Sequence, residues 1–268
     1  MLSKLIKHEF KDTVRLFWPI YTLIIVLTPL FAFLMRLGIT DISNWESEID
    51  VDFSSALQGG LIGYYLLLVG LFLGCQVMIA LRFYRTMATN EAYLTFTLPT
   101  TPGKILFSKW LIAMLYYIAS GVIAVGSILL TIFIATPSFF EDMVQAFQNL
   151  LLNLDIDSFS MIALLGLVFI ASAAGKILQF YASIMLGQLF RSHRAIISVG
   201  FYIAMSVVLQ IIGSLVLLPI IFFQFMNTDM VNYSIHFFLL IIALFQIAIS
   251  GGYYVMTYLI IRKRLNVR

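Results

Sequence analysis

Residues 57–81 read LQGGLIGYYLLLVGLFLGCQVMIAL without one charged side chain, and Arg82 follows at once. At 1.5 Å per helical residue, such a run crosses a hydrocarbon core about 30 Å thick. Five more long, predominantly apolar runs surround it: Trp18–Leu37, Trp110–Ala135, Met161–Leu189, Ala195–Phe225 and Ile235–Ile261. The run Ala195–Phe225 has length to spare for a tilt, or for a kink at Pro219. The 268 residues are 62% hydrophobic and 11% charged, with a mean hydropathy of +1.01. A water-soluble domain of that composition would expose apolar atoms over most of its surface, so lipid is the solvent. No stretch between the runs is long enough to build a water-soluble core of its own. The expectation is an all-α polytopic membrane protein with six transmembrane helices.

Ahead of the first run, Leu2, Leu5, Ile6, Phe10, Val14 and Phe17 recur at spacings of three and four, with Lys4, Lys7, His8, Lys11, Asp12 and Arg15 on the other face. That period predicts an amphipathic helix over residues 1–17 in the cytoplasmic headgroup layer, its lysines available to anionic lipid, followed by a transmembrane domain over 18–268. A signal peptide is not expected, because the charged stretch is long and no small-residue cleavage pattern follows. With six spans, Lys4, Lys7, Lys11, Arg15, Arg82, Arg85, Lys104, Lys109, Arg191, Arg194, Arg262, Lys263, Arg264 and Arg268 fall on one side. The other side holds Asp41, Glu46, Glu48, Asp50, Asp52, Glu141, Asp142, Asp155, Asp157 and Asp229, with Arg36 as its only basic residue. The excess of Lys and Arg makes the first side cytoplasmic, with both termini and residues 82–109 on it, in the cell (plasma) membrane. A net charge of +3, spread beside apolar spans and not along an aromatic-interleaved stripe, argues against nucleic acid as a partner. Cys75 is the single cysteine. It excludes an intrachain disulfide and a cysteine-based metal site, and is expected to be a small buried apolar residue.

The polar segment 82–109 reads RFYRTMATNEAYLTFTLPTTPGKILFSK. A basic cluster opens it, Glu91 lies in a short helix-compatible stretch, and the chain breaks at Leu98-Pro99-Thr100-Thr101-Pro102-Gly103 before Lys104 restarts a helix. A short helix is thus held out to the cytoplasm between the second and third spans, unless the segment is an ordinary loop with an interfacial anchor.

The run Asn90-Glu91-Ala92-Tyr93-Leu94-Thr95-Phe96-Thr97-Leu98-Pro99, followed by Thr101-Pro102-Gly103-Lys104-Ile105-Leu106 and Lys109, resembles the cytoplasmic segment of type-2 ATP-binding-cassette (ABC) exporter permeases. The likeness extends to Leu5-Ile6-Lys7-His8-Glu9-Phe10 and to Tyr181–Phe190 with His193-Arg194, and is nearest the form common in Gram-positive bacteria. Ala92 departs from the glycine that many relatives carry there. The resemblance implies that Glu91, Tyr93, Leu94, Phe96, Leu98 and Pro99 dock into a cleft on an ABC ATPase subunit and receive its closing motion. It implies two ATPase copies, which carry ATP and magnesium, and a second permease that is an identical chain or a paralogue. This chain itself calls for no cofactor and no metal. It carries no G-x-x-x-x-G-K-[ST] loop, since Gly103-Lys104 and Gly175-Lys176 lack both the upstream glycine and the following hydroxyl. Nor does it hold an enzyme's motifs: His8, His193 and His236 are scattered, with no H-E-x-x-H and no G-x-S-x-G.

Within the spans, Ser172, Lys176, Gln179 and Ser183 recur at spacings of four, three and four, and Ser206, Gln210 and Ser214 repeat the pattern one span later. Such intramembrane stripes face protein or a water-filled path. Ser172, Lys176, Gln179, Ser183 and Gln210 are therefore the candidate translocation path. Lys176 is the only charged side chain near the middle of any span, and no acid lies deep enough to pair with it. It serves either architecture or substrate contact. Glycine and small residues at four-residue spacing (Gly59/Gly63, Gly70/Gly74, Ala171/Gly175) allow close helix approach, within one protomer or between two.

These features lead to the permease subunit of an ATP-driven exporter of an amphipathic substrate, such as an antimicrobial peptide or drug, with acidic outer loops that suit a cationic peptide. The alternatives are an ion-gradient-driven secondary transporter, which generally needs intramembrane Asp, Glu or His, and a non-transporting sensor or accessory subunit, which needs a larger extramembrane domain.

Overall fold

The computed structural model describes residues 2–44, 51–89, 101–135, 139–152, 156–190, 192–226 and 231–265. Among them there is no strand, and the helices are α1 (Leu2–Asn44), α2 (Val51–Ala88), α3 (Pro102–Ala135), α4 (Phe139–Leu152), α5 (Ile156–Gly187), α6 (Arg194–Met226) and α7 (Val231–Leu265). Among the described residues, six stretches are long and apolar enough to cross a membrane: Glu9–Phe33, Ile62–Ala88, Pro102–Ile134, Ser158–Gly187, Arg194–Leu215 and Ile235–Lys263. The chain is a multi-pass helical membrane protein. Hydrocarbon offers no partner to a backbone N–H or C=O, so each span pairs its own. Short hydroxyls do the same: Thr28 Oγ1 donates to Ile24 O at 2.7 Å, Ser108 Oγ to Ile105 O at 2.8 Å, and Thr257 Oγ1 to Tyr253 O at 2.7 Å.

Two elements differ from the sequence expectation. The amphipathic stretch 1–17 is not separate from the first span, because α1 runs unbroken from Leu2 to Asn44 through Pro19 and Pro29. Phe10 and Phe17 lie against Tyr116 of α3, the latter stacked at 4.7 Å, and Tyr116 Oη donates to Phe10 O at 3.3 Å. Packing on α3 therefore carries the apolar stripe straight into the span. The second difference is α4, a helix within what the sequence presents as an acidic outer loop. Glu141 and Asp142 occupy its first turn, where the free N–H groups favour negative charge. Phe140 meets Phe133 of α3 edge-on at 6.4 Å.

Contacts divide the chain into two compact units. One comprises His8–Met78 and Leu115–Leu154. Its core is Ile24, Leu71 and Ala124, one from each of α1, α2 and α3, with Ile20, Tyr21, Leu67 and Phe72 around them. A polar thread runs through it: Tyr21 Oη lies 2.8 Å from Ser120 Oγ, which lies 3.2 Å from the buried Cys75 Sγ.

The other unit comprises Met1–Lys7, Ile79–Met114 and Asp155–Arg268. Its central helix is α5, which packs extensively on α7 and on α6, while α6 and α7 scarcely meet. The α5–α6 hairpin is antiparallel: Ser198 Oγ lies 3.4 Å from Ile184 O, the Phe180 and Tyr202 rings stack at 4.5 Å, and Gln179 Nε2 donates to Ser206 Oγ at 2.7 Å. Helices α5 and α7 run parallel, with Ser160 Oγ 3.4 Å from His236 Nδ1 and Gly175 beside Gln246 and Ser250. Ala171, Ala173 and Ala174 are buried beside that glycine. The small-residue pair Ala171/Gly175 thus serves packing inside the protomer.

The hairpin turns at Gly187. A Cβ there would collide with Ser198 Oγ and would stand 2.8 Å from both Arg194 O and Ser198 N. The following His193 takes a left-handed φ of 48°. Gly187→Ala is expected to destabilise the protein by about 1–3 kcal/mol through forced separation of α5 and α6. Gly200→Ala, which meets open space, is expected to be neutral or to stabilise by about 0.5–1 kcal/mol. Unfolding in mixed micelles measures both, and equal stability of the two variants would contradict the tight turn.

Candidate functional site

Because α6 and α7 each lean on α5 but not on one another, a cleft of about 450 Å³ opens between them with α5 as its floor. Ser172, Gly175, Lys176 and Gln179 form that floor. The α6 wall brings Ser206, Leu209, Gln210 and Gly213. The α7 wall brings Gln246 and Tyr253 among the apolar Ile241, Ile242, Phe245 and Ile249. The cleft lies deep in the bilayer. Lys176 stands eleven residues before Gly187, the end of its span, a rise of about 16 Å in a core about 30 Å thick.

Four of the five residues that the sequence marks as a candidate path, Ser172, Lys176, Gln179 and Gln210, therefore line one cavity. Ser183 does not. It is buried, and its hydroxyl donates to Phe180 O at 2.9 Å, because α6 closes on α5 toward the turn before that level is reached. Ser206 is committed to Gln179. The α7 contribution, Gln246 and Tyr253, lies outside the two stripes marked in the sequence, although Gln246, Ser250, Tyr253 and Thr257 recur at spacings of four, three and four and offer the same kind of signal.

Lys176 is exposed within the cleft, and its amine makes no hydrogen bond or ion pair among the described residues. No carboxylate lines the cavity. The nearby hydrogen-bonding groups are amides and hydroxyls. The arrangement presents one basic side chain and several neutral donors beside an apolar wall, at a depth where an unpaired charge is expensive.

The residues expected to meet an ATPase, Glu91, Tyr93, Leu94, Phe96, Leu98 and Pro99, lie outside the described residues. What flanks them is described. Phe83 and Met87 at the end of α2, and Ile105 and Leu106 at the start of α3, are almost fully buried. Tyr181 of α5 stacks on Phe83 at 3.7 Å and donates its hydroxyl to Lys109 O at 3.2 Å. At the start of α3, the Tyr254 hydroxyl of α7 lies 3.5 Å from Gly103 O. Both ends of the segment are thus fastened to the helices that form the cleft.

Comparison of the chain with protein-family models, with curated proteins and with solved structures finds no match.

Tyr181 carries the fastening through its stack on Phe83 and its hydrogen bond to Lys109 O, which are separable by mutation. Tyr181→Phe keeps the stack and loses one hydrogen bond, an expected cost of about 1 kcal/mol. Tyr181→Ala loses both, an expected cost of about 3–5 kcal/mol. Unfolding in mixed micelles checks the order, and an alanine variant no less stable than the phenylalanine variant would refute it.

Proposed function

We propose that the chain is the transmembrane permease subunit of an ATP-driven ABC exporter in the cell membrane, with both termini cytoplasmic, moving an amphipathic substrate with energy from a separate ATPase. Two permeases, identical or paralogous, enclose the path, and two ATPase copies beneath them bind ATP and magnesium.

One juxtaposition carries this reading. The segment whose sequence resembles an ATPase-docking element is tethered at both ends to unit-wide packing around α5, and α5 is the floor of a polar cleft halfway through the membrane. A push on the segment would reach the cleft through Phe83 and Lys109 to Tyr181, which lies five residues along the same helix from Lys176. Two-state rearrangement of packed helices is the ordinary way in which a small displacement at one site alters another. The acid-helix-Leu-Pro-lysine order of 91–104 supplies the partner side: a carboxylate opening a short helix, available to a cationic group on the ATPase.

Removing one member of a desolvated charge pair costs about 2–5 kcal/mol, or roughly thirty- to several-thousand-fold in binding. Glu91→Ala is expected to leave the chain folded in the membrane while weakening ATPase pull-down or uncoupling substrate-stimulated hydrolysis. If Glu91→Ala and Glu91→Lys both preserve complex yield and stimulated hydrolysis, Glu91 is not the coupling contact.

A further inference from the structure

The cleft has a sign. Its one charged side chain is cationic, it has no partner among the described residues, and no acidic residue lines the cavity. Gln210, Gln246, Ser172 and Tyr253 add N–H and O–H groups that can donate to the same guest, whereas Gln179 is engaged with Ser206. Ile241, Ile242, Phe245 and Ile249 on the α7 wall and Leu209 on the α6 wall supply the apolar lining beside them. The volume of about 450 Å³ falls within the range of small-molecule sites.

We propose that this cleft binds an anionic amphiphile, its carboxylate or phosphate head on the Lys176 ammonium and its chain along the α6–α7 apolar surface. An anion supplies the charge partner that Lys176 lacks among the described residues, through a charge-assisted hydrogen bond stronger than a neutral one. A cationic guest would meet a like charge with no carboxylate to offset it. The acidic outer loops attract cations toward the membrane, but the mid-membrane site selects the opposite sign. The proposal deepens the exporter reading and rests on it only for the fate of the bound molecule, not for its binding.

The test uses the purified full chain in phosphatidylcholine nanodiscs and a dansyl-labelled long-chain carboxylate, with the matching alkyl phosphate, neutral primary amide and amine. Carboxylate and phosphate are expected to bind at least about tenfold more tightly than the amide, and the amine more weakly than either anion. Lys176→Arg is expected to keep that preference and Lys176→Gln to abolish it; position 176 faces the open cleft, so neither variant puts folding at stake. Equal binding of carboxylate and amide by the unmodified chain, or an unchanged preference in Lys176→Gln, overturns the proposal. Phosphatidylglycerol added to the nanodisc separates the sources of the anion. Displacement of the probe assigns the site to resident anionic lipid, and retention assigns it to a non-lipid guest. The exporter reading fails separately: an ATPase that does not associate leaves the charge preference standing, and a chain that couples to an ATPase without charge preference loses only this site.

Discussion

Hydrocarbon provides no hydrogen-bond partner, and that constraint orders the whole molecule. It makes the backbone helical and bends the short hydroxyls back on their own helices, as at Thr28, Ser108 and Thr257. A lysine or glutamine is too long for that solution. Gln179 reaches across to Ser206, while Lys176, Gln210 and Gln246 turn toward a shared cavity. The cleft is where the unit containing α5–α7 collects polarity that the helices cannot absorb alone.

Helix α5 makes this possible through a change of side-chain size along its length. Ala171, Ala173, Ala174 and Gly175 let α7 approach closely. Directly after Gln179, Phe180 and Tyr181 replace small residues with rings, one stacked on Tyr202 and the other on Phe83. Each offset or stacked ring pair contributes about 0.5–1.5 kcal/mol beyond its buried area. The same helix is therefore a thin floor in the membrane and a broad anchor for the ends of α2 and α3.

Much of this was legible in the sequence, for definite reasons. The spans were, because length and lack of charge are local properties, as in residues 57–81. The polar floor of α5 was, because Ser172, Lys176 and Gln179 share a helical face. Ser183 shares that face too, and only the convergence of α6 removes it from the cavity. The α7 wall had a signal too, the spacing of Gln246, Ser250, Tyr253 and Thr257, but only packing beside Gly175 shows that Gln246 belongs to the α5 cleft. Helix α4 was masked by its own acidic first turn, which resembles a loop by composition. The unbroken α1 depends on Tyr116, which nothing near residue 17 announces.

A nitroxide at position 176 in a Cys75→Ala background reports directly whether the cleft is polar and open to water at the middle of the membrane. A second label at Val207, exposed on α6 away from the cleft, serves as reference. Collision with a water-soluble nickel chelate should be greater at 176 than at 207, and collision with oxygen smaller. An oxygen-rich, nickel-poor signature at 176 equal to that at 207 would place Lys176 against lipid and contradict the account.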